Sequence, residues 1–275
     1  MTIHTKYRAT TVTTGALAAL LLLAGCGDND KDDDRRTPAG DTAFPPPGDA
    51  ATSAPDSGRD NTKLDDATLR TKVQTAAAQV KTVHTVGALR GPNGETSFDL
   101  RVDNTTRNYT GTLIEAGQTA QIMRIGPDMY LKAGADYWTK AAKVTDPTAI
   151  ALIQDKHVKL KVEDPRFKGI SAAAELGDIN KAVADWGPTV QRRPDTDIAG
   201  TRAIVFGETD PQEGETLLYV PAKGETFPIK LENKNPANGG TIDWNEHNKP
   251  VTVTPPAPDT VVNLPALTGE TPTTG

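Results

Sequence analysis

One cysteine in 275 residues, Cys26, leaves no second thiol for an intrachain disulfide and no cysteine set for zinc. Aromatic residues make up only 5% of the chain, so an apolar face would be built from aliphatic side chains. Basic residues are outnumbered, 30 Lys and Arg against 36 Asp and Glu, for a net charge of −6. No electrostatic footprint for a phosphate backbone exists, and nucleic-acid binding is set aside. Motifs of catalysis are missing too: there is no G-x-S-x-G, S-x-x-K, H-E-x-x-H, P-loop or G-x-G-x-x-G. Of the four His, His4 lies in the leader described next, and His84, His157 and His247 have no second His at ligand spacing. Neither catalytic nor metal-binding residues are assigned, no cofactor is expected, and the chain is not read as an enzyme.

What is present begins with Lys6 and Arg8 ahead of an apolar run from Gly15 to Ala24, followed by Gly25-Cys26 and then Asp28, Asp30, Asp32, Asp33 and Asp34. This is the n-region and h-region of a secretory signal peptide. The run falls well short of the roughly 20 residues of a permanent membrane span, so cleavage is expected. Leu23-Ala24-Gly25-Cys26 resembles the lipobox of bacterial lipoproteins. That resemblance implies a diacylglyceryl group on Cys26, with acyl chains of the palmitate kind, and removal of residues 1–25. Cleavage takes the net charge from −6 to −8 with the loss of Lys6 and Arg8. Attachment to anionic lipid would then rest on the acyl chains, each buried CH₂ contributing about 0.8 kcal/mol. The expected location is the extracytoplasmic face of the cell membrane, held by a lipid anchor.

Residues 26–61 hold almost no large apolar side chain apart from Phe44 and contain Pro45-Pro46-Pro47, the composition of a disordered tether. Residues 62–267 are the expected folded domain, and residues 268–275 a short disordered tail.

Within the domain, Leu69, Val73, Ala76, Ala77, Val80 and Val83 recur at spacings of three and four, which predicts a helix capped by Asp65 or Asp66. The period then changes to two. Phe98, Leu100 and Val102 alternate with charged residues, and turn signals at Asn93-Gly94, Asp103-Asn104, Ala116-Gly117, Gly126-Pro127-Asp128 and Gly134-Ala135-Asp136 separate short strands. The last strand of this meander is placed at Tyr137 to Lys140, where neighbouring Tyr137 and Trp138 would face opposite sides of the sheet. Asp146-Pro147 opens a helix, His157 to Val162 alternates like a strand, and a further helix is predicted from Asp178 to Trp186. Five more strands are predicted at 203–206, 216–220, 227–232, 241–245 and 251–254. The order helix, meander, helices, meander argues for an α+β fold: one strongly curved antiparallel sheet of about ten strands with its helices on one face.

Three stretches carry a family resemblance. They are Met129-Tyr130-Leu131-Lys132 with Asp136-Tyr137-Trp138-Thr139-Lys140, Leu217 to Lys223 with Phe227-Pro228-Ile229-Lys230, and Trp244 to Val253 before Val261-Val262-Asn263-Leu264. In this order, over Leu64 to Leu264, the chain resembles the LolA/LppX/LprG-like group of actinobacterial-type envelope lipoproteins. The resemblance implies a half-open β-barrel with helices packed in its concave face and a cavity for lipid binding. It also implies lipid transport in the cell envelope, with a lipid or lipoglycan as ligand and an envelope transporter as partner. Candidate cavity residues on the alternating runs are Phe98, Leu100, Val102, Met123, Ile125, Phe206 and Leu218. The chain is expected to act as a monomer, with the membrane held through diacylglyceryl-Cys26. Two other readings remain open. One is an envelope sensor or protein-interaction lipoprotein with a filled core, and the other is a cell-wall hydrolase recognisable only by clustered carboxylates of perturbed pKa.

Overall fold

A computed structural model describes residues 58–91, 94–162, 178–184 and 189–263. The signal peptide, Cys26, nearly all of the tether, the tail and most of the connection after Val162 lie outside the described residues. Among those described, no helix is long and apolar enough to cross a membrane.

Asp60 and Asn61 fasten the start of the domain. Asn61 is buried and donates through Nδ2 to the carbonyls of Pro221 (2.9 Å) and Gly224 (3.2 Å), while its backbone N–H reaches Ala222. Helix α1 (Asp66–Ala78) follows, with the Asp65 carboxylate accepting from the Thr68 backbone at 2.9 Å. It ends before Val80 and Val83, because the β-branched pair Thr82-Val83 already belongs to the first strand.

Five strands then run in immediate succession: β1 (Thr82–Gly91), β2 (Gly94–Asp103), β3 (Asn108–Glu115), β4 (Gln118–Ile125) and β5 (Asp128–Ala133). Helices α2 (Ala135–Lys140) and α3 (Pro147–Ile153), strand β6 (His157–Lys161) and helix α4 (Ile179–Ala184) come next. Strands β7 (Gln191–Ile198), β8 (Thr201–Asp210), β9 (Gly214–Pro221), β10 (Lys230–Asn233), β11 (Gly240–Asn245) and β12 (Val261–Asn263) complete the order. Two-residue turns close β3–β4 at Ala116-Gly117 and β7–β8 at Ala199-Gly200, all four residues at positive φ as a type I′ turn demands.

All twelve strands form one sheet in the order β12-β6-β5-β4-β3-β2-β1-β11-β10-β9-β8-β7, antiparallel except where β12 lies parallel to β6. The two ends, β12 and β7, are not paired with each other, so the sheet is an open, incomplete barrel, the α+β half-open barrel expected from the order of elements.

Four local expectations are corrected. Tyr137 to Lys140 is helical, and Tyr137 and Trp138 are both buried, ring edge to face at 5.7 Å, rather than one in the core and one at the rim. A helix turn can place neighbours around one pocket, and the Trp138 Nε1–H donates to the Ala133 carbonyl at 3.1 Å. Residues 251–254 form no strand. Strand β7 was not anticipated, nor was β12, so the sheet holds twelve strands. Met123 and Ile125 sit on the other face of β4 from the one expected, as set out below.

Candidate functional site

The sheet's register arranges its inner face in rows, since residues paired across an antiparallel ladder point to the same side. One row runs Trp244, Thr85, Leu100, Gly111, Ile122, Leu131, Val158 and Val262 from β11 to β12. On one side of it lies Val83, Val102, Tyr109, Arg124, Met129, Leu160. On the other side lies Phe206, Leu218, Leu231, Ile242, Gly87, Phe98, Leu113, Ala120, Ala133, which extends the face through β10 to β8. The great majority of these side chains belong to one buried cluster, which the helices complete with Leu69, Val73 and Ala77 of α1, Tyr137 and Trp138 of α2, Ile153 of α3 and Ile179 and Val183 of α4.

Two glycines set the shape of this face. A Cβ on Gly111 would lie 2.0 Å from the Asp99 carbonyl oxygen, so β2 folds in over β3 where the side chain is missing. A Cβ on Gly87 would lie 2.4 Å from the Phe98 ring, which leans across it. At the far end, small Ala120 and Ala133 leave room for α2, which packs against β4 and β5.

Five of the seven candidate cavity residues come together here. Phe98, Phe206 and Leu218 share one row, Leu100 lies in the next and Val102 in the third, all buried. Met123 and Ile125 do not join them. Strand β4 carries apolar residues in both phases, and the pairs Leu113–Ala120 and Ile122–Leu131 turn Ala120 and Ile122 inward. Met123 instead borders a shallow outer depression of about 200 Å³ with Thr110, Thr112, Gln121, Tyr130 and His157.

Sequence reading also missed residues on the inner face. Tyr109, Leu113, Ile242 and Trp244 lie on strands whose ranges were recognised, and their alternation would have identified them. Tyr109 is buried, its hydroxyl 3.5 Å from the Met129 sulfur, and burial pushes its pKa well above the usual phenol value. Thr85 is the fully buried polar side chain of the central row, and its Oγ1 has no hydrogen-bond partner among the described residues.

The opposite face carries the charge. Asp128 accepts from Lys161 at 2.6 Å and pairs with Lys159 at 2.8 Å, and these bonds hold its carboxyl below the usual range. His84 bridges Asp99 and Asn245, each at 2.7 Å, next to the Arg101–Glu246 ion pair. A smaller apolar cluster, Ala203, Val205, Leu217 and Tyr219, lies on the other side of β8 and β9 with Ile198 and Ile229 packed on it. Among the described residues, no three His, Cys, Asp or Glu side chains gather as metal ligands.

No protein-family model matches the chain, and no curated protein matches it in sequence. Among solved structures, LprF from Mycobacterium bovis is similar at 15% identity and TM-score 0.47, over 69% of this chain and 96% of that one. Mycobacterium tuberculosis lipoprotein LppX is similar at 12% identity and TM-score 0.46, over 69% of this chain and all of that one. The Pseudomonas aeruginosa MucA/MucB complex is similar at 13% identity and TM-score 0.32, over 71% of this chain and 60% of that one.

Proposed function

We propose that the protein is an envelope lipoprotein that holds a hydrophobic ligand between the concave face of its half-barrel and the helices, and carries or presents that ligand. The observation that carries this reading is the inner face itself, three almost unbroken apolar rows on a sheet that never closes. Twelve strands at about 4.8 Å spacing make the sheet roughly 50 Å wide along its hydrogen bonds. Among the described residues, helix α1 is about 20 Å long and the other three helices are about 10 Å each. These helices are held to the sheet by side-chain packing and a few side-chain hydrogen bonds, such as that from Trp138 to the Ala133 carbonyl, so they can part from it without breaking the strand ladder. An acyl chain inserted there would exchange one apolar surface for another at little cost.

Cys26 supplies the anchor in this reading and residues 26–61 the tether, which holds the domain clear of the membrane on its outer side. The reading takes 62–267 as the domain, with Asn61, the last residue of the tether, fastened to the loop after β9. The group on Cys26 is a diacylglyceryl, and Cys26→Ser is expected to move the protein from the membrane to the soluble fraction.

Native mass spectrometry of the protein purified from bacterial membranes, before and after organic extraction, tests the ligand. A lipid recovered near one per protein, and taken up again after removal, is the expected result. A clean mass with no uptake of added phospholipid would refute the carrier and leave a sensor or interaction protein with a filled core.

A further inference from the structure

The central row of the inner face contains one side chain that does not suit its surroundings. Thr85 is fully buried between Leu100 on β2 and Trp244 on β11, with Val83 and Gly87 beside it on the same face of β1. Among the described residues its Oγ1 has no hydrogen-bond partner. Ladders on both sides of β1 engage the nearby backbone groups, so the hydroxyl faces the apolar cluster alone. An unpaired hydroxyl in such a place opposes folding. Valine has nearly the same shape, is at least as favourable in a strand, and would leave nothing unpaired. A hydroxyl at this position therefore weakens the empty protein with no return from the fold itself.

We propose that the Thr85 hydroxyl is the polar contact for the bound ligand, donating to an ester carbonyl oxygen, and so selects an ester-bearing acyl lipid over a bare hydrocarbon or ether chain. The inference rests on the ligand-holding reading above. The position suits the role. Gly87 has no side chain next to Thr85, and the space above it is taken by the Phe98 ring and the Thr241 carbonyl oxygen. A chain lying along this row would meet apolar contacts on both sides and one hydrogen-bond donor midway.

The test uses protein purified from bacterial membranes and delipidated, with two probes of equal chain length, a diester phosphatidylcholine and its diether analogue, titrated by native mass spectrometry. Wild type is expected to favour the diester about tenfold, the factor a single hydrogen bond supplies. Thr85→Val should abolish that preference while keeping affinity for the diether, and should melt higher than wild type when delipidated. Thr85→Ser should retain the preference. Equal binding of both probes by wild type overturns the assignment without reference to any variant, and so does a Thr85→Val protein that still favours the diester. Binding of neither probe by wild type refutes instead the ligand-holding reading on which the assignment rests.

Discussion

Replacing Gly111 with alanine should be among the most damaging single-methyl changes available in this domain. The added Cβ would stand 2.0 Å from the Asp99 carbonyl oxygen and 2.9 Å from the Leu100 Cα, both backbone atoms of β2. Ordinary contact needs more than 3 Å, and backbone inside a ladder has no rotamer through which to yield. Strand β2 would have to retreat by about 1 Å, loosening its pairing around Leu100–Gly111. Overpacking of this kind costs about 1–3 kcal/mol, and each weakened ladder bond adds about 1 kcal/mol, so a loss near 3 kcal/mol is expected. Gly91→Ala is the matched control, because the nearest atom to its added Cβ is 3.9 Å away. That change should fall within about 0.5 kcal/mol of wild type, or stabilise slightly through the unfolded chain. Urea unfolding followed by circular dichroism reads both variants. A Gly111→Ala loss below about 1 kcal/mol, or equal midpoints for the two variants, would refute the close approach of β2 and β3.

Further predictions concern acid, aromatic packing and turns. The imidazole of His247 stacks on Phe227 at 4.9 Å and donates through Nε2 to the Pro228 carbonyl, and burial holds its pKa below the ordinary value. Burial, aided by the charge of Lys132, does the same at His157. The unfolded chain therefore takes up these protons first, near pH 6.5, and stability should decline from there as pH falls through the folded-state values. Urea midpoints at pH 7.5 and 5.0 should show this decline, and a His247→Phe protein with an unchanged decline would assign it elsewhere. Trp138→Ala should cost about 3–5 kcal/mol in the same unfolding assay, since the ring is buried and its N–H is bonded, whereas Trp138→Phe should cost far less. Ala116 holds φ at 49°, where asparagine is better suited, so Ala116→Asn should raise stability by about 0.5–1 kcal/mol, and a lower melting temperature would contradict the turn geometry.

The hairpins from β1 to β5 are legible in the sequence because each is local: a short alternating run, a turn pair, and another run. Elements that depend on distant partners are harder to read. Gln191 to Ile198 has one apolar side chain that packs, Ile198 at its end, and contains Pro194, and it forms an edge strand that, among the described residues, pairs with β8 alone, with a register shift between Arg193 and Thr196. Residues 251–254 alternate like a strand, but they pair with no strand among the described residues. Tyr137-Trp138 has the composition of a strand, yet space left by Ala120 and Ala133 favours a helical turn over the end of the sheet. The inner face was read correctly wherever one phase alone was apolar, as at Phe98, Leu100 and Val102. It was misread at Met123 and Ile125, where Ile122 and Ala120 offer a second apolar phase and only the neighbours β3 and β5 decide between them. Thr85 carries no signal in sequence, because threonine is unremarkable in a strand until its burial is known.

The parallel pairing of β12 with β6 bears on how the chain is made. His157 and Thr260, which meet at this seam, are 103 residues apart, and β12 emerges after all eleven other strands. During synthesis, the free edge of β6 stays bare while the rest of the sheet assembles, open to pairing with another nascent chain. Lys159 and Lys161 on that strand place positive charge along the vulnerable edge, the kind of guard that discourages such pairing until the late segment arrives. Shortening the chain before Val261 would then affect yield and aggregation during folding more than the stability of molecules already folded.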